Sequence, residues 1–290
     1  MINKYKVIRG VKATLIHVLL LAVTITCLFP LFWMARSALM SNKTIFTDKS
    51  LIPAEIHFDN FVKAWTQGQF AMYSLNSLIY TVSVVIGIVL VSSLAAYAFS
   101  RLEFPGKNFF FYMFVIAMMI PLPGSFVPLT VLMTKLGFIN SPYPFIRQLG
   151  YVLCMINVGL SLSILLLKTF FDKMPPDLED AARIDGCSKL GIWRHVAIPL
   201  ARPAIAVIVI FNALNVWNEY ILAMLLLNDI PNHPTIMPIQ RGLMVFQGTY
   251  LSDYPLLMAG LTIAAVPIIV VYLLMQKHII KGLSSGAVVG

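Results

Sequence analysis

Six times along this chain an apolar run of about 20 residues or more recurs with almost no charge inside it. That recurrence constrains the fold more than any other feature. Such a run is long enough to cross the roughly 30 Å hydrocarbon core of a bilayer as a helix. The runs cover about 14–35, 74–100, 109–133, 146–167, 204–227 and 255–276. No charged residue stands between Lys63 and Arg101, and Glu219 alone interrupts the fifth run. In hydrocarbon every backbone amide and carbonyl must be paired within the protein, which leaves helices and closed barrels. Barrel strands would read as alternating segments of about ten residues. These runs are long and continuous, so the expected fold class is all-α, a polytopic membrane protein with six transmembrane helices.

Composition agrees. Only 11% of the residues are charged, against about 25% in a soluble domain. The net charge of +9 would point a soluble chain towards nucleic acid. Here the bases lie between the apolar runs, which suits an orientation signal and anionic lipid headgroups. Membrane lipid is therefore expected as a partner and nucleic acid is not. Cys27, Cys154 and Cys187 are far apart with no C-x-x-C pair, and His17, His57, His195, His233 and His278 are scattered. Neither a disulfide framework nor a metal site is expected.

Orientation follows from the bases. Lys4, Lys6, Arg9 and Lys12 precede the first run, Arg101 and Lys107 follow the second, and Lys277 and Lys281 follow the sixth. The connection after the fourth run carries Lys168, Lys173, Arg183, Lys189, Arg194 and Arg202. With six spans these segments share one side, and the positive-inside rule puts both termini in the cytoplasm. The expected layout is a cytoplasmic segment at 1–13, a first span at 14–36 and an outer loop at 37–73. A core with five further spans follows at 74–276, then a cytoplasmic tail at 277–290. Residues 228–254 form a second outer segment, broken by Pro231, Pro234 and Pro238.

The longest cytoplasmic connection reads PPDLEDAARIDGCSKLGIWRHVAIPL over 175–200. Pro175 and Pro176 stop the preceding helix. Asp177 is a good N-cap and Asp180 follows three residues on, roughly as in a capping box. Leu178, Ala181, Ala182 and Ile184 supply an apolar strip for a short helix, and Gly186 suits the left-handed residue that ends it. Ser188 can cap a second short helix through about Val196, and Pro199 marks the entry to the fifth span. The pattern fits a helix–Gly–helix element on the membrane surface. An amphipathic helix resting on lipid would look the same.

This segment resembles the EAA motif of permease subunits in bacterial ATP-binding-cassette importers: E-A-A, three residues, G, nine residues, then I-x-L-P. The chain gives Asp180-Ala181-Ala182, Gly186, then Val196, Ile198 and Pro199 at that spacing. It departs in having Asp180 for Glu, Val196 for Ile and Ile198 for Leu. Asn76-Ser77-Leu78, the Ala95–Arg101 stretch, Phe104-Pro105-Gly106-Lys107-Asn108, Met118-Met119-Ile120-Pro121, Trp217-Asn218-Glu219-Tyr220 and Gly286-Ala287-Val288 look like the carbohydrate branch of these permeases. The branch includes the second permease of the maltose importer. The resemblance covers roughly 55–290.

The resemblance implies a permease in the bacterial inner membrane, importing a sugar or oligosaccharide delivered by an extracytoplasmic binding protein. It implies a second related permease and two ATPase subunits as partners. Asp180, Ala181, Ala182, Gly186, Val196, Ile198 and Pro199 within 175–199 would form the coupling element that docks on an ATPase. ATP and Mg would be held by that ATPase and no cofactor by this chain, which lacks a G-x-x-x-x-G-K-[ST] phosphate loop.

Two further features have two readings each. Glu219 either faces a solute path or sits structurally at the interface, and Trp217, Asn218 and Tyr220 beside it suit a sugar or an aromatic belt. Pro121, Pro123, Gly124 and Pro128 either break the third span beside a cavity or mark its outer end. A secondary transporter would need buried ion-coordinating carboxylates, for which Glu219 is the one candidate. A membrane-embedded enzyme would need clustered acid and base groups, and none is seen, so the chain is not expected to be an enzyme.

Overall fold

The computed structural model describes residues 2–247 and 253–287, with side-chain surroundings for 11–121, 123–247 and 253–276. Val288, residues 248–252 of the second outer segment and the side chains of Lys4, Lys6, Arg9, Lys277 and Lys281 lie outside the described residues. Among the described residues the chain is helical, with no β-strand. It divides into two units, one of residues 1–70 with 243–266 and one of 71–242 with 267–290.

The first unit is led by α1 (Ile2–Ser37). Leu15, Leu19, Val23 and Leu28 are exposed around its length, and a helix apolar all round belongs in lipid. Its hydroxyls turn inward onto the helix, Thr24 to the Leu20 carbonyl at 2.8 Å and Thr26 to the Ala22 carbonyl at 2.9 Å. The loop after it is an ordered fold. Buried Arg36 donates to the carbonyls of Ser50 at 2.6 Å and Asp48 at 3.0 Å, and pairs with the Asp48 carboxylate at 3.4 Å. The Ser50 hydroxyl and amide, with Arg36 behind them, hold the Asp48 carboxyl below its ordinary pKa. Asn60, in α2 (Asp59–Gln67), donates to the carbonyls of Ala38 and Met40 and ties the loop shut.

The second unit is built on α3 (Phe70–Arg101, from Ala71) and α6 (Pro144–Asp172). Small residues let them approach. A Cβ on Gly87 would meet Ile156 at 2.4 Å, and one on Gly159 would meet Ile88 at 2.3 Å. Tyr80 packs edge-on to Tyr151 and Tyr97 to Phe171. Between these helices in sequence come α4 (Lys107–Ala117) and α5 (Leu122–Lys135). After them come α7 (Pro176–Ile184), α8 (Lys189–Ile192), a π turn at Trp193–Ala197, α9 (Ile198–Leu200) and α10 (Arg202–Asn218). Then follow α11 (Ile221–Leu226), α12 (Ile239–Gly242) and α13 (Tyr254–Ala287), whose residues from Pro267 belong to this unit. Helices α4 and α10 pack on α6, and α11 packs on α5 and α6.

Among the described residues four helices are long and apolar enough to cross a membrane: Val11–Ser37, Phe70–Arg101, Pro144–Asp172 and Tyr254–Gln276. The expected third and fifth runs are interrupted instead. The third divides into α4 and α5 around Pro121, which is extended and cannot donate a helical hydrogen bond. The 11 residues of α4 rise about 16 Å, roughly half the hydrocarbon core. The fifth divides at Glu219–Tyr220 into α10 and α11. The helical piece Lys189–Leu200 meets α10 at 77°, so the bend falls at Ala201, two residues beyond Pro199.

The segment at 228–247 is held in a way the sequence did not announce. Ile236 and Met237 are buried without helical hydrogen bonds in the stretch before α12, and Ile239 is buried at the start of that helix. Polar side chains of α3 satisfy that backbone. Asn76 donates to the carbonyls of Thr235 and Met237, Tyr80 donates to the Ile236 carbonyl at 2.6 Å, and Ser77 accepts from the Ile239 amide at 2.8 Å.

Candidate functional site

The loop between α6 and α10 starts with Pro175 in an extended conformation and Pro176 as the first helical residue. Proline suits that position because its missing N–H would have no partner there. The helix therefore begins one residue before Asp177. Pro175 sits at the N-cap and no side chain caps the helix, so the expected Asp177–Asp180 capping box does not form. Asp177 and Glu179 lie in the first turn instead, where carboxylates face the positive end of the helix dipole.

The far end of α7 closes as expected. Gly186 is left-handed, with φ +84°. The Cys187 amide donates to the Ala182 carbonyl and the Gly186 amide to the Arg183 carbonyl, the paired bonds of a Schellman motif. Ser188 then caps α8, its hydroxyl accepting from the Gly191 amide at 3.2 Å. A Cβ at Gly186 would meet nothing within 4 Å, so backbone conformation and not space demands glycine. Gly186→Val should cost the loop about 2 kcal/mol, whereas Gly186→Asn should cost less than about 1 kcal/mol. Protease nicking across 184–188 in detergent should rise more than about tenfold for the first and little for the second.

The loop has two faces. Outward stand Ile184, 87% exposed, with Leu178 and Leu190. The Asp180 side chain is 62% exposed and receives a hydrogen bond from Arg183 at 3.0 Å. Inward lie Glu179, Ala182, Ile192 and Ala197. The apolar strip expected on α7 is thus divided, with Ala182 inside and Leu178 and Ile184 outside. Of the motif residues, Asp180, Ala181 and Gly186 face out, Ala182 faces in, and Val196, Ile198 and Pro199 are half-buried on the return arm.

Sequence reasoning missed what holds α7 in place. The Glu179 side chain is 5% exposed and its Oε1 lies 3.1 Å from Arg101 Nε, where Arg101 is 14% exposed. The contact lacks the alignment of a hydrogen bond and is an ion pair. The second guanidinium nitrogen of Arg101 donates to the carbonyls of Phe171 and Met174. Next to it, the Ser100 hydroxyl donates to Asp172 at 2.6 Å, and Lys168 donates to the same carboxylate at 2.8 Å. Arg101 was visible as the first charge after a long apolar run; its partner, 78 positions on, was not.

Trp217, Asn218, Glu219 and Tyr220 do not converge on one polar cavity. Trp217 lines an apolar cleft of about 440 Å³ with Leu75, Leu78 and Pro267. The Asn218 amide donates to the Leu214 carbonyl of its own helix. Glu219 accepts from the Leu222 amide at 2.9 Å and from the Ala223 amide at 3.0 Å. Its carboxylate thus caps α11 at the break in the fifth run. Glu219→Ala should cost about 1–2 kcal/mol, and Glu219→Gln, which keeps one acceptor, should cost less. Unfolding midpoints in detergent should fall in the order wild type, Gln, Ala.

The break in the third run has a cavity beside it, of about 500 Å³. Phe110, Met113, Phe114 and Met118 form one wall, and Asn157 and Ser161 of α6 face them. This favours the cavity-lining reading of that break.

Long helices with exposed apolar faces, two interrupted helices and a loop anchored to α3 and α6 are the features of a multi-pass membrane protein. The chain belongs to the family of binding-protein-dependent transport system inner membrane components, whose model matches residues 87–285. It is similar to the probable ABC transporter permease protein YurM of Bacillus subtilis, 35% identical over 96% of this chain and 89% of that protein. It is also similar to the diacetylchitobiose uptake system permease protein NgcG of Streptomyces coelicolor, 29% identical over 94% of this chain and 88% of that one. Among solved structures it resembles a bacterial ABC transporter involved in the import of the acidic polysaccharide alginate. The TM-score is 0.77 at 24% identity, over 92% of this chain and 96% of that chain, a likeness of fold. The protein is thus a multi-pass inner-membrane component.

Proposed function

We propose that this chain is one permease subunit of an ATP-driven, binding-protein-dependent importer of a sugar or oligosaccharide. It works beside a second related permease and two ATPase subunits and receives solute from an extracytoplasmic binding protein. The observation that carries the reading is the 175–200 loop, anchored inward through Glu179 yet presenting Leu178, Asp180 and Ile184 outward. A stable loop with apolar groups on its free face fits a protein partner. The chain has no phosphate loop of its own, so the nucleotide and Mg belong on that partner. Relatives that carry sugars support the solute class.

In this reading there are six spans, α4 with α5 forming the third and α10 with α11 the fifth. Both termini and the loop are cytoplasmic, following the bases. Glu219 gives both carboxylate oxygens to backbone amides, which weighs against the ion-coordinating role that a gradient-driven transporter would need.

The solute path runs past the cavity at the broken third span. Asn157 and Ser161 lie one turn apart near the middle of α6. A polar, exposed side chain at that depth belongs against water or solute and not against lipid. The Phe110 and Phe114 rings offer flat apolar faces to a sugar ring. Asn157→Ala should lower the rate of uptake from saturated binding protein about tenfold, the value of one neutral hydrogen bond, without lowering the unfolding midpoint.

The test is uptake into proteoliposomes holding this chain, its companion permease and the ATPase. Labelled sugar should enter only with ATP and with the binding protein outside. Uptake driven by a proton or sodium gradient without the ATPase would overturn the proposal.

A further inference from the structure

We propose that Arg101 and Glu179 form the joint through which the loop moves the bundle. The proposal rests on the reading that the loop engages an ATPase. Helix α7 has nine residues, and its inward contacts come from Glu179 and Ala182. A helix that short does not hold its own position. The Glu179–Arg101 ion pair positions it, and Arg101 is the last residue of α3. The same guanidinium holds the carbonyl of Phe171, in the last turn of α6, and that of Met174, just beyond the helix. One side chain thus touches α3, the end of α6 and α7. Ser100 donates to Asp172 beside it and ties α3 to α6 at this end, while Lys168 holds the same carboxylate from within α6.

A displacement of the exposed face of α7 therefore passes into α3 through this guanidinium, and into α6 through it and the short link at 173–175. The other arm of the loop leads to α10 across the 77° bend at Ala201. The pair suits the task because it is shielded. An attraction screened from water weakens less with distance than the exposed Arg183–Glu179 and Arg183–Asp180 contacts. Arginine is required because its planar fork serves two carbonyls and a carboxylate at once, which the point charge of lysine does not. Arg101 and Glu179 are in this account positioning residues.

The test uses the whole complex in proteoliposomes and reads three quantities: ATPase bound per permease, ATP hydrolysed without solute, and sugar moved per ATP. The double variant Arg101→Met/Glu179→Leu removes both charges and leaves no buried ion unpaired, so it should fold and assemble. In the complexes that form, sugar moved per ATP should fall about tenfold, the size of a typical coupling between sites. Arg101→Lys, which keeps the charge, should assemble fully and lose about threefold in that ratio. A double variant that assembles and keeps the wild-type ratio would overturn the joint alone. If the double variant fails to assemble, an unchanged ratio in Arg101→Lys overturns it equally. Absence of any bound ATPase on the wild-type chain would overturn the functional reading and the joint together.

Discussion

Arg101→Met is expected to destabilise the protein by about 3–5 kcal/mol, the largest single effect foreseen on the described residues. Glu179, its side chain 5% exposed, would lose its buried counter-charge. Removing one partner of a buried pair leaves the other without compensation, and that penalty exceeds what the pair contributed. Arg183 remains 3.6 Å from the second carboxylate oxygen but is 56% exposed and offers little relief. The Met174 carbonyl loses its donor as well, while that of Phe171 keeps the Met174 amide. Adding Glu179→Leu should restore most of the loss, since an apolar replacement of a buried pair is often neutral. Unfolding midpoints of the four proteins in detergent form a double-mutant cycle, and the coupling energy should exceed about 2 kcal/mol. A single variant as stable as wild type would show that the pair is not buried in the folded protein.

The second large effect is expected at Gly159, where α6 meets α3 and α10. A Cβ there would stand 2.3 Å from Ile88 Cδ1 and 2.4 Å from Asn212 Oδ1. Neither neighbour can retreat easily. Ile88 is fully buried, and the Asn212 amide group donates to the Ile208 carbonyl at 2.9 Å and to Ser163 Oγ at 3.2 Å. Ser163 in turn donates to the Gly159 carbonyl at 2.7 Å. A side chain would separate three helices and break this chain of bonds. Gly159→Leu should therefore cost about 3 kcal/mol, the upper range for overpacking. Gly124, whose added Cβ meets nothing within 4 Å, is the control, and Gly124→Ala should change stability by less than about 1 kcal/mol. Midpoints in detergent again give the comparison, and equal losses at the two glycines would contradict the packing described.

The apolar runs were legible because lipid imposes one rule on every residue of a span. The runs at 74–100, 146–167 and 255–276 became Phe70–Arg101, Pro144–Asp172 and Tyr254–Gln276. The break in the third run was signalled by Pro121, because proline acts on its own backbone. The break in the fifth was not, because Glu219 looks from the sequence like a charge in an apolar run, and only its bonds to Leu222 and Ala223 make it a cap. Gly186 and Ser188 were legible for the reason Pro121 was: their effect is local. Asn76, Ser77 and Tyr80 gave no hint of the buried stretch at 235–239, since their partners stand about 160 positions away. The same distance problem hid Glu179. Hydropathy marked α7 as a strip of Leu178, Ala181, Ala182 and Ile184, yet a carboxylate lies on its inner side because an arginine is waiting at the end of α3.

Whether this chain works as part of an ATP-driven complex is tested most directly by its companions. The tagged protein, extracted from membranes in mild detergent, should carry a second permease in equal amount and two ATPase subunits, counted by native mass spectrometry. A chain recovered alone or with copies of itself, with no ATPase under the gentlest extraction, would contradict the account.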